Sequence, residues 1–319
     1  MGHPLPAPAP GSFDALHAQP LVPRRSTAGL LLRSTRPEQW TKNLVVFAGL
    51  LFGGRLLDGG ALGSAVAAFA VFCALSGTAY LVNDISDREA DEHHPLKRHR
   101  PIAAGQLPVR TALAAAIVLG VGAMLAAVLI RPAFGAVAAA YVAVLLLYSA
   151  ALKHLVIIDA LTIAAGFVLR AVGGAVAVEV AISQWLLVCT TLLALFLAFS
   201  KRRHELTLLA DAATGHRRIL VEYSPYLLDQ MIAVVTASTL IAYSVYATSA
   251  ETAARLGTSR LGLTIPFVLY GIFRYLYLVH QKRGGGSPAA LLVADRPLLV
   301  CVALWAISVA VILYSPFGR

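Results

Sequence analysis

The chain has 319 residues, of which 58% are hydrophobic and only 13% are charged. Charged residues make up about a quarter of soluble globular domains, so this composition excludes a soluble enzyme and indicates a protein that crosses the bilayer several times. The net charge is +10 at pH 7, but the basic residues concentrate in alternate connections between apolar segments. That distribution is typical of membrane topology and argues against nucleic-acid binding.

The first forty residues are rich in Pro and Ala and contain no apolar core of the signal-peptide kind. We expect residues 1–35 to be a disordered cytoplasmic tail and residues 36–319 to form one membrane domain. An α-helix needs roughly 20 apolar residues to cross a bilayer. The predicted fold is therefore all-α and polytopic, with about nine transmembrane helices near 43–57, 62–83, 110–130, 133–151, 155–178, 183–200, 228–250, 261–279 and 297–315.

The Lys and Arg residues predict which side of the membrane each connection occupies. Most of the 26 lie before the first apolar segment or in connections that follow even-numbered segments. Because Lys and Arg accumulate on the inner side, the N-terminus and these connections are predicted to be cytoplasmic and the C-terminus outside. We expect a multi-pass protein of the cell inner (plasma) membrane. The sequence is compatible with a homo-oligomer as well as with a monomer.

An acidic stretch, NDISDREAD, directly follows the second apolar segment. In a helix Asp84, Asp87 and Asp91 share one face, and Asn83 lies at i+4 spacing from Asp87. A solvated helix end is one interpretation, but carboxylates at a membrane boundary are costly. We favour a divalent cation, Mg²⁺ with Mn²⁺ as the alternative, because Mg²⁺ binds a few carboxylates together with substrate phosphates. The three aspartates are the candidate catalytic residues, and together with Asn83 they are the candidate metal ligands.

A basic stretch, KRHRP, follows within ten residues and contains Lys97, Arg98 and Arg100. Cations beside a metal–carboxylate site suit a substrate that carries more phosphate than the metal alone can balance. His93 and His94 are neighbours in the chain and point in different directions, which argues against a zinc site.

The stretch NDISDREAD resembles the NDxxDxxxD signature of the UbiA superfamily of intramembrane prenyltransferases. The resemblance implies nine transmembrane helices around a central cavity, and Mg²⁺ that joins these acids to a diphosphate leaving group. Most members of the superfamily carry a second acidic motif after the sixth helix. Here that position reads FSKRRHELTLL, with Glu205 as the only acid, so we expect a more highly phosphorylated substrate or two phosphorylated substrates.

Five stretches, which run from residue 36 to residue 299, resemble one branch of the superfamily, the polyprenyl-phosphate phosphoribosyltransferases. The resemblance implies transfer of 5-phosphoribose from 5-phosphoribosyl 1-diphosphate to a polyprenyl (decaprenyl) phosphate, with release of pyrophosphate. The product would serve arabinan precursor synthesis for the cell envelope. The alternatives are an ordinary UbiA prenyltransferase that acts on an aromatic acceptor, and a transporter or lipid flippase. The stretches are 36–52, 94–105, 148–174, 200–206 and 273–299.

Two further groups of residues are candidate substrate ligands on this hypothesis. Lys201, Arg202 and Glu205 occupy the second-motif position and are assigned to the 5-phosphate or the ribose hydroxyls of the donor. Gln39, Lys42 and Asn43 enter the first apolar segment and are assigned to the lipid phosphate. A topology anchor that reaches the membrane surface is the alternative role for Lys42.

Four more polar residues run from the end of the fourth apolar segment into the fifth. Tyr148 and Lys153 are assigned to substrate binding, although topology alone also explains Lys153. Asp159 needs a partner inside the membrane, and Lys153 or Arg170 is available. An isolated Arg at membrane depth is costly, so Arg170 is predicted to face the cavity and bind phosphate, or to pair with Asp159.

Overall fold

The computed structural model describes residues 26–95, 97–211, 222–282, 286 and 288–315, which form helices and turns without a strand among them. Most of the predicted tail, residues 1–25, lies outside the described residues. Its last part was predicted to be disordered but forms a helix, α1 (Thr27–Ser34). The Ser26 hydroxyl caps this helix by accepting a hydrogen bond from the Gly29 amide at 3.2 Å.

Eight helices of the described chain are long and apolar enough to cross a membrane, which confirms the all-α polytopic prediction. Short helices between them are α4 (Arg88–Glu92), α10 (Ala250–Leu256) and α12 (Pro288–Ala294). The long helices are α3 (Gly59–Ser86), α5 (Val109–Ile130), α6 (Pro132–Ala150), α7 (Ile158–Ala177), α8 (Gln184–Asp211), α9 (Pro225–Thr248), α11 (Ile265–His280) with the 3₁₀ turn Arg260–Thr264 before it, and α13 (Arg296–Tyr314).

The first predicted segment, 43–57, is not one α-helix. It begins earlier, as a 10-residue 3₁₀ helix (Pro37–Val46), and continues as the 6-residue α2 (Phe47–Phe52). A 3₁₀ helix rises about 2.0 Å per residue against 1.5 Å in an α-helix. The whole segment therefore covers about 29 Å, close to the roughly 30 Å of bilayer hydrocarbon. The larger rise of the 3₁₀ helix lets this short segment span the bilayer.

Contacts at both ends of this segment show that it runs the length of α3. Arg36, just before it, bonds to Asp84 near the end of α3, whereas Leu50 packs against Ala61 near the start of α3. The hydroxyl of Tyr314, near the end of α13, donates to the Leu51 carbonyl at 2.8 Å. The described chain thus starts and finishes at opposite ends of the bundle, as an odd number of crossings requires.

Helix α7 lies at the centre of the bundle, and glycines allow its neighbours to approach closely. A Cβ added to Gly174 would lie 2.0 Å from the Val46 carbonyl oxygen, and one added to Gly173 would lie 2.7 Å from the Phe72 ring. Because Gly174 has no Cβ, the backbone of the 3₁₀ segment packs directly against α7. Arg170, one turn before Gly174, is thereby placed beside Asn43 of the 3₁₀ segment.

Candidate active site

A cavity of about 1640 Å³ lies between the helices. Of the described side chains that line it, seven are Lys or Arg, whereas two, Asp87 and Glu205, are carboxylates. Much of the remaining wall is apolar and aromatic and includes Phe47, Trp185 and Trp305. A cavity with an excess of cations and a long apolar wall suits phosphate groups joined to a hydrocarbon chain. The seven cations are Arg36, Lys42, Lys97, Arg100, Lys153, Arg170 and Lys201.

Two aspartates of the acidic motif are buried around one arginine. Asp84 and Asp91 are 2% and 1% exposed. One nitrogen of Arg100, Nη1, lies 3.0 Å from Asp84 Oδ1 and 2.5 Å from Asp91 Oδ2. Arg36 Nη2 donates to Asp84 Oδ1 at 2.6 Å, and Lys97 Nζ lies 3.8 Å from Asp91 Oδ1. The two carboxylates therefore face guanidinium and ammonium groups.

The other two residues of the motif face the cavity. Helix α3 ends at Ser86, so Asp87 lies in a break before α4, and the motif is not one continuous helical face. The Asn83 amide donates to Asp87 Oδ2 at 2.8 Å, and both side chains line the cavity. Asp87 is half-buried and lies on the cavity wall, whereas Asp84 and Asp91, on either side of the break, are buried and do not line the cavity.

The predicted set of three clustered aspartates is therefore not assembled, and no group of three or more His, Cys, Asp or Glu among the described residues is arranged as a metal site. The physical reason is that the chain breaks after Ser86, so Asp87 faces the cavity, while Arg36 and Arg100 pair with the two buried carboxylates. The chemistry of the donors nevertheless fits an oxygen-liganded divalent cation. Asp84 and Asp91 both reach one cationic nitrogen, which stands between them as a bridging cation would, and Asp87 and Asn83 add oxygen donors on the cavity wall.

The basic stretch after the motif contributes unequally to the cavity. Lys97 and Arg100 line it, together with His94, which was not among the predicted ligands. Arg98 is exposed and is not brought to the cavity. The His93 ring contacts the Glu89 carbonyl at 2.8 Å, so the two histidines diverge, as their adjacency suggests.

A second buried network lies where α7 begins and α8 ends. Arg202 and Asp159 are 1% and 0% exposed, and Arg202 Nε donates to Asp159 Oδ2 at 2.7 Å. Arg202 also donates to Glu205 Oε2 at 2.6 Å and to the Tyr148 hydroxyl at 3.3 Å. Neither Arg202 nor Asp159 lines the cavity. Lys153 and Arg170 were the predicted partners of Asp159, and this prediction is wrong. Asp159 pairs with Arg202, which approaches from α8.

Tyr223 completes this network. Its hydroxyl donates to Asp159 Oδ1 at 3.0 Å and accepts from the Ile157 amide at 2.7 Å. Burial raises the pKa of Tyr223 to about 12, so the hydroxyl keeps its proton. The network presents Tyr148, Glu205 and the nearby Lys201 to the cavity, where Lys153 also lies. Lys201 Nζ is 3.8 Å from Glu205 Oε1.

A third polar group lies on the central helix. Arg170 Nε donates to Asn43 Oδ1 and Nη2 to the Tyr141 hydroxyl, both at 2.6 Å, and Nη1 donates to the Gly166 carbonyl at 3.0 Å. The Asn43 amide donates in turn to Cys73 Sγ at 3.1 Å. Arg170 lines the cavity as predicted. Asn43 is 1% exposed and does not line the cavity, so it orients the guanidinium without facing the substrate space.

Gln39 and Lys42 line the cavity as well. Arg36 also lines it, although no sequence motif predicts this role, because topology alone explains its charge. Arg36 has a φ of 55°, and Ile157, whose amide bonds to Tyr223, has a φ of 68°. Positive φ is rare for residues other than glycine and costs roughly 1–3 kcal/mol. Both strained residues thus adjoin the polar networks of the site, and no sequence pattern signals them.

A sequence model of the UbiA prenyltransferase family matches residues 28–294. The chain belongs to this family. The decaprenyl-phosphate phosphoribosyltransferase of Mycolicibacterium smegmatis is 33% identical over 320 residues, which cover 95% of this chain and 99% of that protein. The protein of the same name from Corynebacterium glutamicum is 32% identical over 298 residues, which cover 92% and 89% of the two chains.

Solved structures of UbiA proteins share the fold. A UbiA homologue from Archaeoglobus fulgidus bound to DMAPP and Mg²⁺ superimposes with a TM-score of 0.67 at 19% identity, over 88% of this chain and 98% of that one. The same homologue bound to GPP and Mg²⁺ gives a TM-score of 0.66 at 18% identity, over 88% and 99%. At these identities the likeness concerns the fold alone, and it confirms the predicted UbiA-like architecture.

Proposed function

We propose that this protein transfers 5-phosphoribose from 5-phosphoribosyl 1-diphosphate to a polyprenyl (decaprenyl) phosphate and releases pyrophosphate. The observation that carries the proposal is the cavity wall, where seven Lys and Arg side chains accompany two carboxylates beside a long apolar surface. The two substrates together bring a diphosphate, a sugar phosphate and a lipid phosphate, which such a wall would neutralise. The names of the relatives support the same reaction.

We assign the donor diphosphate to the acidic motif. A divalent cation, Mg²⁺ or Mn²⁺, would be held by Asp87 and Asn83 at the cavity wall and by Asp84 and Asp91 once the cations that pair with them withdraw. When bound, such an ion neutralises the diphosphate and stabilises the departing pyrophosphate. Asp87 already faces the cavity, so it is the carboxylate best placed to meet the donor.

The reaction needs little acid–base chemistry from the protein. The bond between C1 of the ribose and the diphosphate oxygen breaks, and the electron pair leaves with pyrophosphate. C1 then has oxocarbenium character, as in other glycosyl transfers, and an oxygen of the lipid phosphate forms the new bond. Because that phosphate is already anionic, positioning and charge stabilisation provide most of the acceleration.

The second network would position the sugar. Glu205 and the Tyr148 hydroxyl face the cavity and offer hydrogen-bond acceptors for ribose hydroxyls. Lys153 and Lys201 lie beside them and provide charge for the 5-phosphate. Arg202 and Asp159 do not reach the cavity: Arg202 holds Glu205 and Tyr148 in place, and Asp159 holds Arg202.

The donor is a cytosolic metabolite, which leads us to place the polar end of the cavity at the cytoplasmic face of the plasma membrane. The described chain begins at that end, so the N-terminus would be cytoplasmic and the C-terminus outside. The distribution of Lys and Arg supports this orientation. The product would serve the synthesis of cell-envelope polysaccharide precursors.

The test uses purified protein in detergent with Mg²⁺, decaprenyl phosphate and radiolabelled 5-phosphoribosyl 1-diphosphate. We expect label to move into the organic phase, and this transfer to be lost with EDTA and in Asp87→Ala. Glu92→Ala is the matched control, because Glu92 lies in the neighbouring helix α4 but pairs with Arg88 at 2.9 Å on the surface. It should transfer label like the wild type.

An ordinary UbiA prenyltransferase is the second candidate, favoured by the structural neighbours that bind prenyl diphosphates. The same preparation supplied with a labelled prenyl diphosphate and an aromatic acceptor separates the two functions. Label in the aromatic product, without transfer from the phosphoribosyl donor, would refute the proposed function.

A further inference from the structure

Arg170 carries its charge among neutral groups. It is 8% exposed, and its three hydrogen bonds go to an amide oxygen, a backbone carbonyl and a phenol. The guanidinium also lies 4.7 Å from the Tyr141 ring centroid and 5.2 Å from that of Phe167. A buried charge without an anionic partner is costly, so the site is arranged for an anion that comes from elsewhere.

The geometry of Arg170 leaves suitable donors for that anion. A guanidinium has five N–H groups, and the contacts above use Nε and one N–H of each terminal nitrogen. Within the described part of the chain, the second N–H on Nη1 and on Nη2 has no acceptor. Arg170 lines the cavity, and N–H groups on a planar guanidinium are suited to the oxygens of a phosphate.

Lys42 is a second cation that has no anionic partner in the described part of the chain. Among the described residues its ammonium makes no hydrogen bond or ion pair, and the charges that act on it are those of Lys201, Arg170 and Arg36. Lys42 also lines the cavity. Like charges held together in a partly buried cavity are unfavourable until an anion binds between them. Lys42 is therefore placed for a ligand and not for the stability of the free protein.

The surroundings of these two cations are apolar on one side. Lys42 is followed along the same segment by Leu44, Phe47 and Leu51, which all line the cavity. Phe167 lies against Arg170 and also lines the cavity. A phosphate held here would have a hydrocarbon substituent in contact with these side chains. Ribose hydroxyls would instead find their acceptors at the Glu205 end.

We propose that Lys42 and Arg170 bind the phosphate of the acceptor, a polyprenyl monophosphate, while the cations around Asp87 and Glu205 bind the donor. This assignment rests on the proposed function and states which cations serve which substrate. Asn43 acts through Arg170, as a positioning residue that holds the guanidinium toward the cavity. The nucleophilic oxygen is thereby presented from the apolar part of the cavity toward the ribose.

The test measures binding of each substrate alone, by calorimetry on the full-length protein in detergent. The probes are farnesyl phosphate, farnesol and 5-phosphoribosyl 1-diphosphate with Mg²⁺. In Lys42→Met, farnesyl phosphate should bind about 10- to 100-fold more weakly, the range for one charge-assisted hydrogen bond. Farnesol and the phosphoribosyl donor should bind within about twofold of the wild type. Lys153→Met should show the reverse selectivity.

Arg170→Lys serves as the second variant, because it keeps a cation but loses the paired N–H groups. It should also bind farnesyl phosphate more weakly without a matching loss of the donor. Thermal unfolding without ligand gives an independent readout. Lys42→Met should unfold at the same or a higher temperature than the wild type, since it removes a repelled charge, and it should lose the stabilisation that farnesyl phosphate gives the wild type.

The inference and the proposed function fail in different ways. If the wild type binds both phosphorylated probes, but Lys42→Met weakens the donor as much as farnesyl phosphate or weakens neither, the assignment of Lys42 is wrong and the function stands. If the wild type binds neither probe, both are refuted.

Discussion

Replacement of Arg202 by Met tests the role of the buried network. The network either stabilises the site or binds substrate directly, and we expect the first. Arg202 and Asp159 are 1% and 0% exposed and lie 2.7 Å apart. Without Arg202, the Asp159 carboxylate would retain only the Tyr223 hydroxyl as a side-chain donor among the described residues. Removal of one partner from a buried ion pair costs about 3–5 kcal/mol, and we expect a loss of unfolding free energy in this range.

Reversible unfolding in mixed dodecyl maltoside and SDS micelles measures this free energy. Asp159→Asn should cost less than Arg202→Met, because Arg202 still pairs with Glu205 at 2.6 Å. Arg88→Met is the matched control. It breaks an exposed pair between residues four apart on a helix, and such pairs contribute about 0.3–0.5 kcal/mol.

The double replacement Arg202→Met with Asp159→Leu should recover most of the lost stability, because apolar side chains can replace a buried ion pair at little cost. The reasoning is refuted if Arg202→Met costs no more than the control. It is also refuted if Arg202→Met keeps full stability but no longer binds the phosphoribosyl donor, since Arg202 would then be the direct substrate ligand that the sequence suggested.

Three further predictions follow from the geometry. Asp87→Asn should lower the rate of label transfer about 10²- to 10³-fold, as loss of one electrostatic contact to the reacting groups typically does; a rate near that of the wild type would contradict its role. Arg100→Gln removes the cation that bridges Asp84 and Asp91 while Arg36 and Lys97 remain, so Mn²⁺ measured by electron paramagnetic resonance without donor should bind about tenfold more tightly, and unchanged or weaker binding would exclude competition between Arg100 and the metal. Gly174→Ala places a Cβ 2.0 Å from a backbone oxygen and should cost about 3 kcal/mol of unfolding free energy, whereas Gly63→Ala, which meets nothing within 4 Å, should cost none.

The sequence by itself determined the architecture. Eight of the nine predicted apolar segments are long membrane-spanning helices, because the need to bury backbone hydrogen bonds in lipid leaves few alternatives to an apolar helix. The family followed from NDISDREAD and the stretches around it, and the family match confirms it. These features are local in the chain, so composition and short motifs are enough to predict them.

Only the tertiary structure decided which polar residues meet. Asp159 pairs with Arg202 on α8 and not with Arg170 on its own helix, and Arg170 pairs with Asn43, which is 127 positions away. Arg100 bridges Asp84 and Asp91 in place of the expected cluster of three acids. Such pairings depend on how helices from distant parts of the chain pack, because a buried charge takes whichever partner the packing brings within reach. Sequence spacing reports only neighbours on one helix, so it identified the charged residues of the site but not their partners.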